Sequence, residues 1–170
     1  MVLPVNIDVI YSDDSSDASV KLHQQHHDEI HTLLNAAPLG KVGYASTSTA
    51  QNTITTLVDL TGLTVTWTAV SGRLYRVSYG VSLSGNTANE LIGLYVADSS
   101  NVNHWRELFT SGAVFSGVWY GQFFGFMTTT GSGSITRKLR LERNVGVGTL
   151  GTAPNPSWPC FILVEDVGLA

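Results

Sequence analysis

RLYRVSYGVSL, residues 73–83, decides the fold class. It sets Tyr75, Val77, Tyr79, Val81 and Leu83 on one side and Arg76, Ser78, Gly80 and Ser82 on the other, a period of two that only an extended strand covering a core satisfies. Residues 134–143 repeat the pattern, with Ile135, Leu139 and Leu141 opposed to Thr136, Lys138, Arg140 and Glu142. Both stretches read as outer walls of a layered core. Outward from them, Thr-, Val-, Ser- and Tyr-rich runs are punctuated by TG, SG, SGN, DSSN and GSG turn signals from residue 40 onward. The spacing predicts an all-β sandwich or barrel with strands near 41–46, 53–60, 63–70, 73–83, 90–97, 104–110, 117–129, 134–143 and 160–167. Residues 144–159, rich in Gly and Pro, read as a loop.

Three of these strands are apolar on both faces. In LIGLYVA, Leu91 and Tyr95 oppose Ile92, Leu94 and Val96. In GVWYGQFFGFM, Trp119, Phe123 and Met127 oppose Val118, Tyr120, Phe124 and Phe126, while CFILVEDV is apolar on both sides for most of its length. One core takes one face of a strand, and a second face of this size exceeds the few hundred Å² of apolar patch usual on a monomer. Ile92, Leu94, Val118, Tyr120, Phe124 and Phe126 are therefore expected to form an intersubunit β face. Gly93, Gly117, Gly121 and Gly125 interrupt the same strands, which predicts a bend, a bulge or a close approach at each.

The first 37 residues differ in character. Residues 1–12 carry Pro4 and read as a docking arm. SDDSSDAS, residues 12–19, supplies caps and acidic side chains for a helix from about Ala18 to Ala36, ended by Pro38. At about 18 residues such a helix is marginal alone, so something must pack on it. Leu22, His23, His26, His27, Ile30, Leu33 and Leu34 fall on overlapping helical stripes, the seam of a bundle. Four of the chain's five histidines crowd into residues 23–35, yet no Cys and no H-E-x-x-H accompanies them, and Asp28 and Glu29 leave the stripe. Plain packed or solvent-facing histidines lead a pH-sensitive seam and a metal site, and no metal or cofactor is expected.

Charged residues make up only 13% of the chain against roughly 25% in ordinary soluble proteins. The net charge of −4 is uneven, because six acids against Lys21 make residues 1–31 strongly acidic and leave the rest near neutral. Neither part has the basic stripe of a nucleic-acid binder. RKLR, residues 137–140, with Arg143 reads as a solvated face. No G-x-S-x-G elbow occurs, the Gly-rich runs precede no helix, and Glu165 and Asp166 point to opposite faces of one strand, so no catalytic set assembles. His104 and Trp105 sit in a turn-rich stretch and are candidates for a ligand-binding loop. Cys160, the single cysteine, lies in an apolar run and reads as a buried thiol. No run approaches the roughly 18 apolar residues of a membrane span, and the start lacks the basic and apolar regions of a signal peptide.

VKLHQQHHDEIHTLLNAA, TTLVDLTGLTVTWTAVSGRLYRVSYGVSL and RKLRLERNVGVGTLGTAPNPSWPCFILVEDVG together resemble small accessory virion proteins of tailed bacteriophages, especially those infecting actinobacteria. The resemblance spans roughly residues 5 to 168 and rests on packing motifs. It implies an all-β, jelly-roll-like β-sandwich preceded by an N-terminal arm and one short α-helix, assembled as a homotrimer. Residues 1–37 would be the arm and helical stem that attach and trimerise, 38–40 a linker and 41–170 the jelly-roll domain. Many related chains carry a long linker or collagen-like repeats where this one has only PLGKVGYASTST, which favours a short knob over a fibre. The expected function is that of a non-enzymatic virion surface protein, of minor tail or fibre type, partnered by itself, by other virion proteins through residues 1–37 and by host-envelope glycan. Capsid decoration or a head fibre is the alternative reading, a carbohydrate-binding module the next, and an envelope-polysaccharide enzyme the weakest. Neither nucleic acid nor membrane insertion enters.

Overall fold

Alternation like that of residues 73–83 recurs along the chain, and the computed structural model carries nine strands among the residues it describes, 28–30, 32, 37–87, 89–111 and 119–170. They are β1 (Gly40–Thr47), β2 (Val58–Ala69), β3 (Arg73–Gly85), β4 (Leu91–Ala97), β5 (Asn103–Thr110), β6 (Trp119–Thr128), β7 (Gly133–Val145), β8 (Leu150–Thr152) and β9 (Cys160–Leu169). The first sheet runs β1-β9-β3-β6, with β8 also paired to β3, and the second runs β2-β7-β4-β5. Every pairing is antiparallel. The pairs β4–β5, β3–β6, β2–β7 and β1–β9 nest inside one another. A long antiparallel hairpin rolled into two facing sheets has this order, so the fold is a jelly-roll β-sandwich.

The inward residues are those the alternation picks out. Tyr75, Val77, Tyr79, Val81 and Leu83 of β3 meet Leu63, Val65 and Trp67 of β2, Ile92, Leu94 and Val96 of β4, Leu139 and Leu141 of β7 and Ile162 and Val164 of β9 in one buried cluster. At about 25 cal/mol per Å² of apolar surface, this cluster is the main favourable term for the domain. Cys160 lies inside it, where burial pushes its thiol pKa up. Arg73 and Asp166, both almost fully buried, close one end of the β3–β9 pair through a two-pronged ion pair of 2.6–3.1 Å. Glu165 faces the other way and pairs with Arg76 on the outside.

Three expectations need correction. Residues 53–60 and 63–70 are not two strands, because β2 runs through the expected TG turn and keeps β7 as its partner. The register shifts between Asp59 and Thr64, Gly62 takes a positive φ of 78°, and Leu60 and Leu63 both turn inward, so the dipeptide makes a bulge. Within the expected loop, β7 extends to Val145 and Leu150–Thr152 pairs with the end of β3, because Leu150 is a core residue. RKLR is not uniformly solvated, since Arg137 sits on the inner side of β7 at 8% exposure. The strand glycines mark close approach: an added Cβ would lie 2.5 Å from the Phe161 ring at Gly80, 2.7 Å from Tyr95 at Gly93 and 2.2 Å from Trp119 at Gly121.

The chain divides into two units, Met1–Ala37 and Pro38–Ala170. In the first, residues 28–30 and 32 are helical and exposed. The expected seam residues Leu22, His23, His26, His27, Leu33 and Leu34 lie outside the described residues, as does Val118, while Ile30 is described and exposed. Among the described residues no helix is long and apolar enough to cross a membrane.

Candidate interaction surface

Each strand of the first sheet gives one face to the core and the other to the outside. The pairing register lines the outward residues up in rows. Tyr44, Leu163, Ser78 and Phe124 form one row across β1, β9, β3 and β6. Ser46, Phe161, Gly80 and Gln122 form the next, and Lys41, Glu165, Arg76 and Phe126 lie on the far side of the first. Gly80 has no side chain in the middle of this face, which lets the Phe161 ring lie down on the backbone with the Tyr120 hydroxyl closing from the other side. Tyr120 in turn meets Trp158 edge-on at 5.4 Å, and Phe124 meets Phe126 at 5.7 Å and 79°. Phe124 is 64% exposed, Trp158 55%, Tyr44 52% and Phe126 51%. The result is a connected apolar sheet face, flattened at its centre by Ser78 and Gly80. In the flanking row Arg76 pairs with Glu165 at 2.6 Å, and Lys41 lies over the Tyr44 ring.

The expected intersubunit face is thus partly redrawn. Phe124, Phe126 and the half-buried Tyr120 are on it, but Ile92 and Leu94 are fully buried between the sheets, because β4 belongs to the second sheet and points them inward. Tyr44, Phe161, Leu163 and Trp158 take their place. The run 160–167, apolar on both sides for most of its length, is the sequence signal for Phe161 and Leu163. Tyr44 and Trp158 join only through register and ring contact.

His104 and Trp105, the candidates for a ligand-binding loop, are placed in a strand. Both lie in β5, where His104 sits 3.3 Å from the Asp98 carboxylate on the outside and Trp105 packs against the core over Gly125. Trp119, Phe109 and Phe123 stack alongside it between the edges of the two sheets. Among the described residues no three His, Cys, Asp or Glu side chains come together as metal ligands. Burial, and then Glu107 beside it, raise the Tyr79 hydroxyl pKa far above its ordinary value, so it stays protonated.

No protein-family model matches the chain, and no curated protein sequence does. Solved structures similar to it include the infectious bursal disease virus VP2 subviral particle, with 11% identity and a TM-score of 0.39 over 78% of this chain and 37% of that one. Eiger TNF from S. frugiperda has 9% identity and a TM-score of 0.46, covering 77% of this chain and 94% of its own. A carbohydrate-binding module of type CBM4 has 12% identity and a TM-score of 0.37, covering 75% and 77%. The chain thus spans well under half the length of the viral protein.

Proposed function

We propose that this chain is a non-enzymatic structural protein of a virion, a homotrimeric jelly-roll knob whose copies meet through the outer face of the first sheet. Residues 1–37 serve as the arm and stem that seat it on other virion proteins, 38–40 as a linker and 41–170 as the knob. The observation that carries the self-association is the exposed aromatic row around Phe124. A second copy is a fitting occupant because the face carries little net charge to oppose its own image: Arg76 and Glu165 pair within the chain, and the one further cation on these rows, Lys41, lies at the β1 edge over the Tyr44 ring. Trimeric order, the virion setting and the stem follow from the resemblance of residues 5 to 168 to phage accessory proteins.

The test is the mass of the full chain in solution, by light scattering and sedimentation across a dilution series, followed by imaging of labelled protein on intact particles. A trimer mass that persists on dilution, with label on the particle, supports the reading. A stable single copy sinks the self-association, and a trimer that never joins a particle sinks the virion role. Label on the shell selects capsid decoration, and label at the distal end selects a tail or fibre position.

A further inference from the structure

At the end of the sandwich where β3 runs out, Asn52, Thr53, Ser84, Gly85, Asn86, Thr149, Leu150 and Gly151 line an open pocket of about 340 Å³, at the small end of the roughly 300–1,000 Å³ usual for small-molecule sites. Its lining has no charged side chain and no aromatic ring. Among the described residues, the side chains of Asn52, Thr53, Ser84 and Thr149 have no hydrogen-bond partner. Asn86 commits its carbonyl oxygen to the Thr149 N–H at 2.7 Å and the Thr87 hydroxyl at 3.0 Å, which leaves its amide N–H groups unused. Gly151 contributes no side chain: a Cβ there would lie 3.0 Å from the Gln51 carbonyl and 3.1 Å from Asn52 Oδ1.

These groups are held in place from behind. Gln51 and Thr152 exchange hydrogen bonds of 2.8 and 2.9 Å, and the Ile54 N–H donates to the Leu150 carbonyl at 2.7 Å, with Ile54 and Leu150 in the core. Between these clamps Thr53 is kept at a φ of 60°, a left-handed conformation that a β-branched residue rarely adopts. On the opposite side the Gly148 N–H donates to the fully buried Glu90 carboxylate at 2.9 Å, fixing the backbone next to Thr149. A strained backbone braced on both flanks, carrying unengaged hydroxyl and amide groups, is a preorganised hydrogen-bonding site.

We propose that this pocket binds one neutral polyhydroxylated ring, a pyranose. An anion would find no cation in the lining, and a purely hydrophobic ligand would leave the side-chain hydroxyls and amides of Asn52, Thr53, Ser84, Asn86 and Thr149 without partners, whereas sugar hydroxyls both donate and accept and so match them, with the apolar part of the lining, Leu150 included, left to the ring carbons. The site is independent of self-association through the first sheet, so either can fail alone.

The probes are glucose, galactose and N-acetylglucosamine, titrated into full-length ¹⁵N-labelled protein, with isobutanol and inorganic phosphate as controls. At least one sugar should shift the amides of Asn52, Thr53, Asn86, Thr149 and Gly151 with a Kd on the order of 1 mM. Asn52→Ala and Ser84→Ala, which remove no internal hydrogen bond, should each weaken that sugar by about fivefold to tenfold while leaving the remaining spectrum unchanged. The proposal is overturned if none of the three sugars moves these amides, if the shifts fall instead on Tyr120 and Trp158, or if isobutanol or phosphate produces the same shifts.

Discussion

The two sheets share one core and differ on their outer faces. On the second sheet the outward side chains satisfy one another: Lys138 and Arg140 converge on Asp59, Thr66 meets Thr136 at 2.8 Å, the Tyr95 hydroxyl donates to Glu142, and Arg106 lies over the Tyr95 ring. On the first sheet exposed rings dominate the outward side, with Leu163, small polar residues, Lys41 and one internal ion pair among them. Strand alternation decides which residues enter the core. It does not decide what stands outside, and there a face of paired polar groups and a face of exposed rings separate.

The largest break in this comparison comes from placing a charge on the apolar face. Under the proposed self-association, Phe124→Asp would bury an uncompensated carboxylate against a second copy, at a cost of several kcal/mol. The assembly should fall to single copies in sedimentation while circular dichroism stays that of the wild type. Leu108→Asp puts the same charge on the second sheet, where Leu108 is 46% exposed, and should leave the assembled mass unchanged. If both variants behave alike, the distinction between the faces is wrong.

A second contrast lies between the two ion pairs that join β3 to β9. Arg73 and Asp166 have 5% and 0% of their side chains exposed, and Arg76 and Glu165 have 44% and 25%. Asp166→Ala removes the carboxylate of a two-pronged buried pair with Arg73 and should cost about 3–5 kcal/mol in denaturant unfolding. Glu165→Ala should cost under about 1 kcal/mol. Equal losses would mean that the inner pair is solvated.

A smaller effect is expected where a ring lies on a strand glycine. Gly80→Ala on the first sheet drives a methyl into Phe161 and the Tyr120 hydroxyl, and Gly93→Ala on the second drives one into Tyr95. Overpacking of this kind costs about 1–3 kcal/mol. Only Gly80→Ala should also weaken self-association, since it alone tilts rings on the apolar face. Equal weakening by Gly93→Ala would show that the loss comes from destabilisation alone.

These contrasts mark what the sequence could reveal. The inward set of β3, β6 and β7 was legible, because a period of two survives any register. The role of Gly62 was not, since a Thr-Gly pair reads the same in a turn and in a bulge, and only the inward position of both Leu60 and Leu63 separates them. Nor was β8, three residues long with the single apolar anchor Leu150. The apolar face was half legible: Tyr120, Phe124 and Phe126 share a strand and Phe161 and Leu163 lie in a run apolar on both sides, whereas Tyr44 and Trp158 reach them only through pairing and ring contact. Ile92 and Leu94 were placed on it because a strand apolar on both sides does not say which side meets the core. The polar pocket gathers three segments more than thirty residues apart in the chain, beyond any local pattern.

The smallest expected effect belongs to the polar face. Burial pushes the Asp59 carboxyl up, but the hydrogen bond and charge of Lys138, together with Arg140, outweigh it and hold its pKa below the ordinary 3.8. A carboxyl more acidic in the folded than in the unfolded chain adds stability wherever both states are ionised, so its contribution is complete above about pH 4. As the pH falls below that value the unfolded chain takes up its proton first, and the contribution declines until the folded-state group is protonated too. Asp59 is nearly half exposed, so Asp59→Asn should cost under about 1 kcal/mol at pH 7. Urea midpoints of the two proteins should converge as the pH drops from 4 toward 2, and added salt should narrow the gap at neutral pH. A difference that widens on acidification would mean that the Lys138 and Arg140 contacts do not stabilise the charged carboxylate, and the polar face would then lose its claim to be self-satisfied.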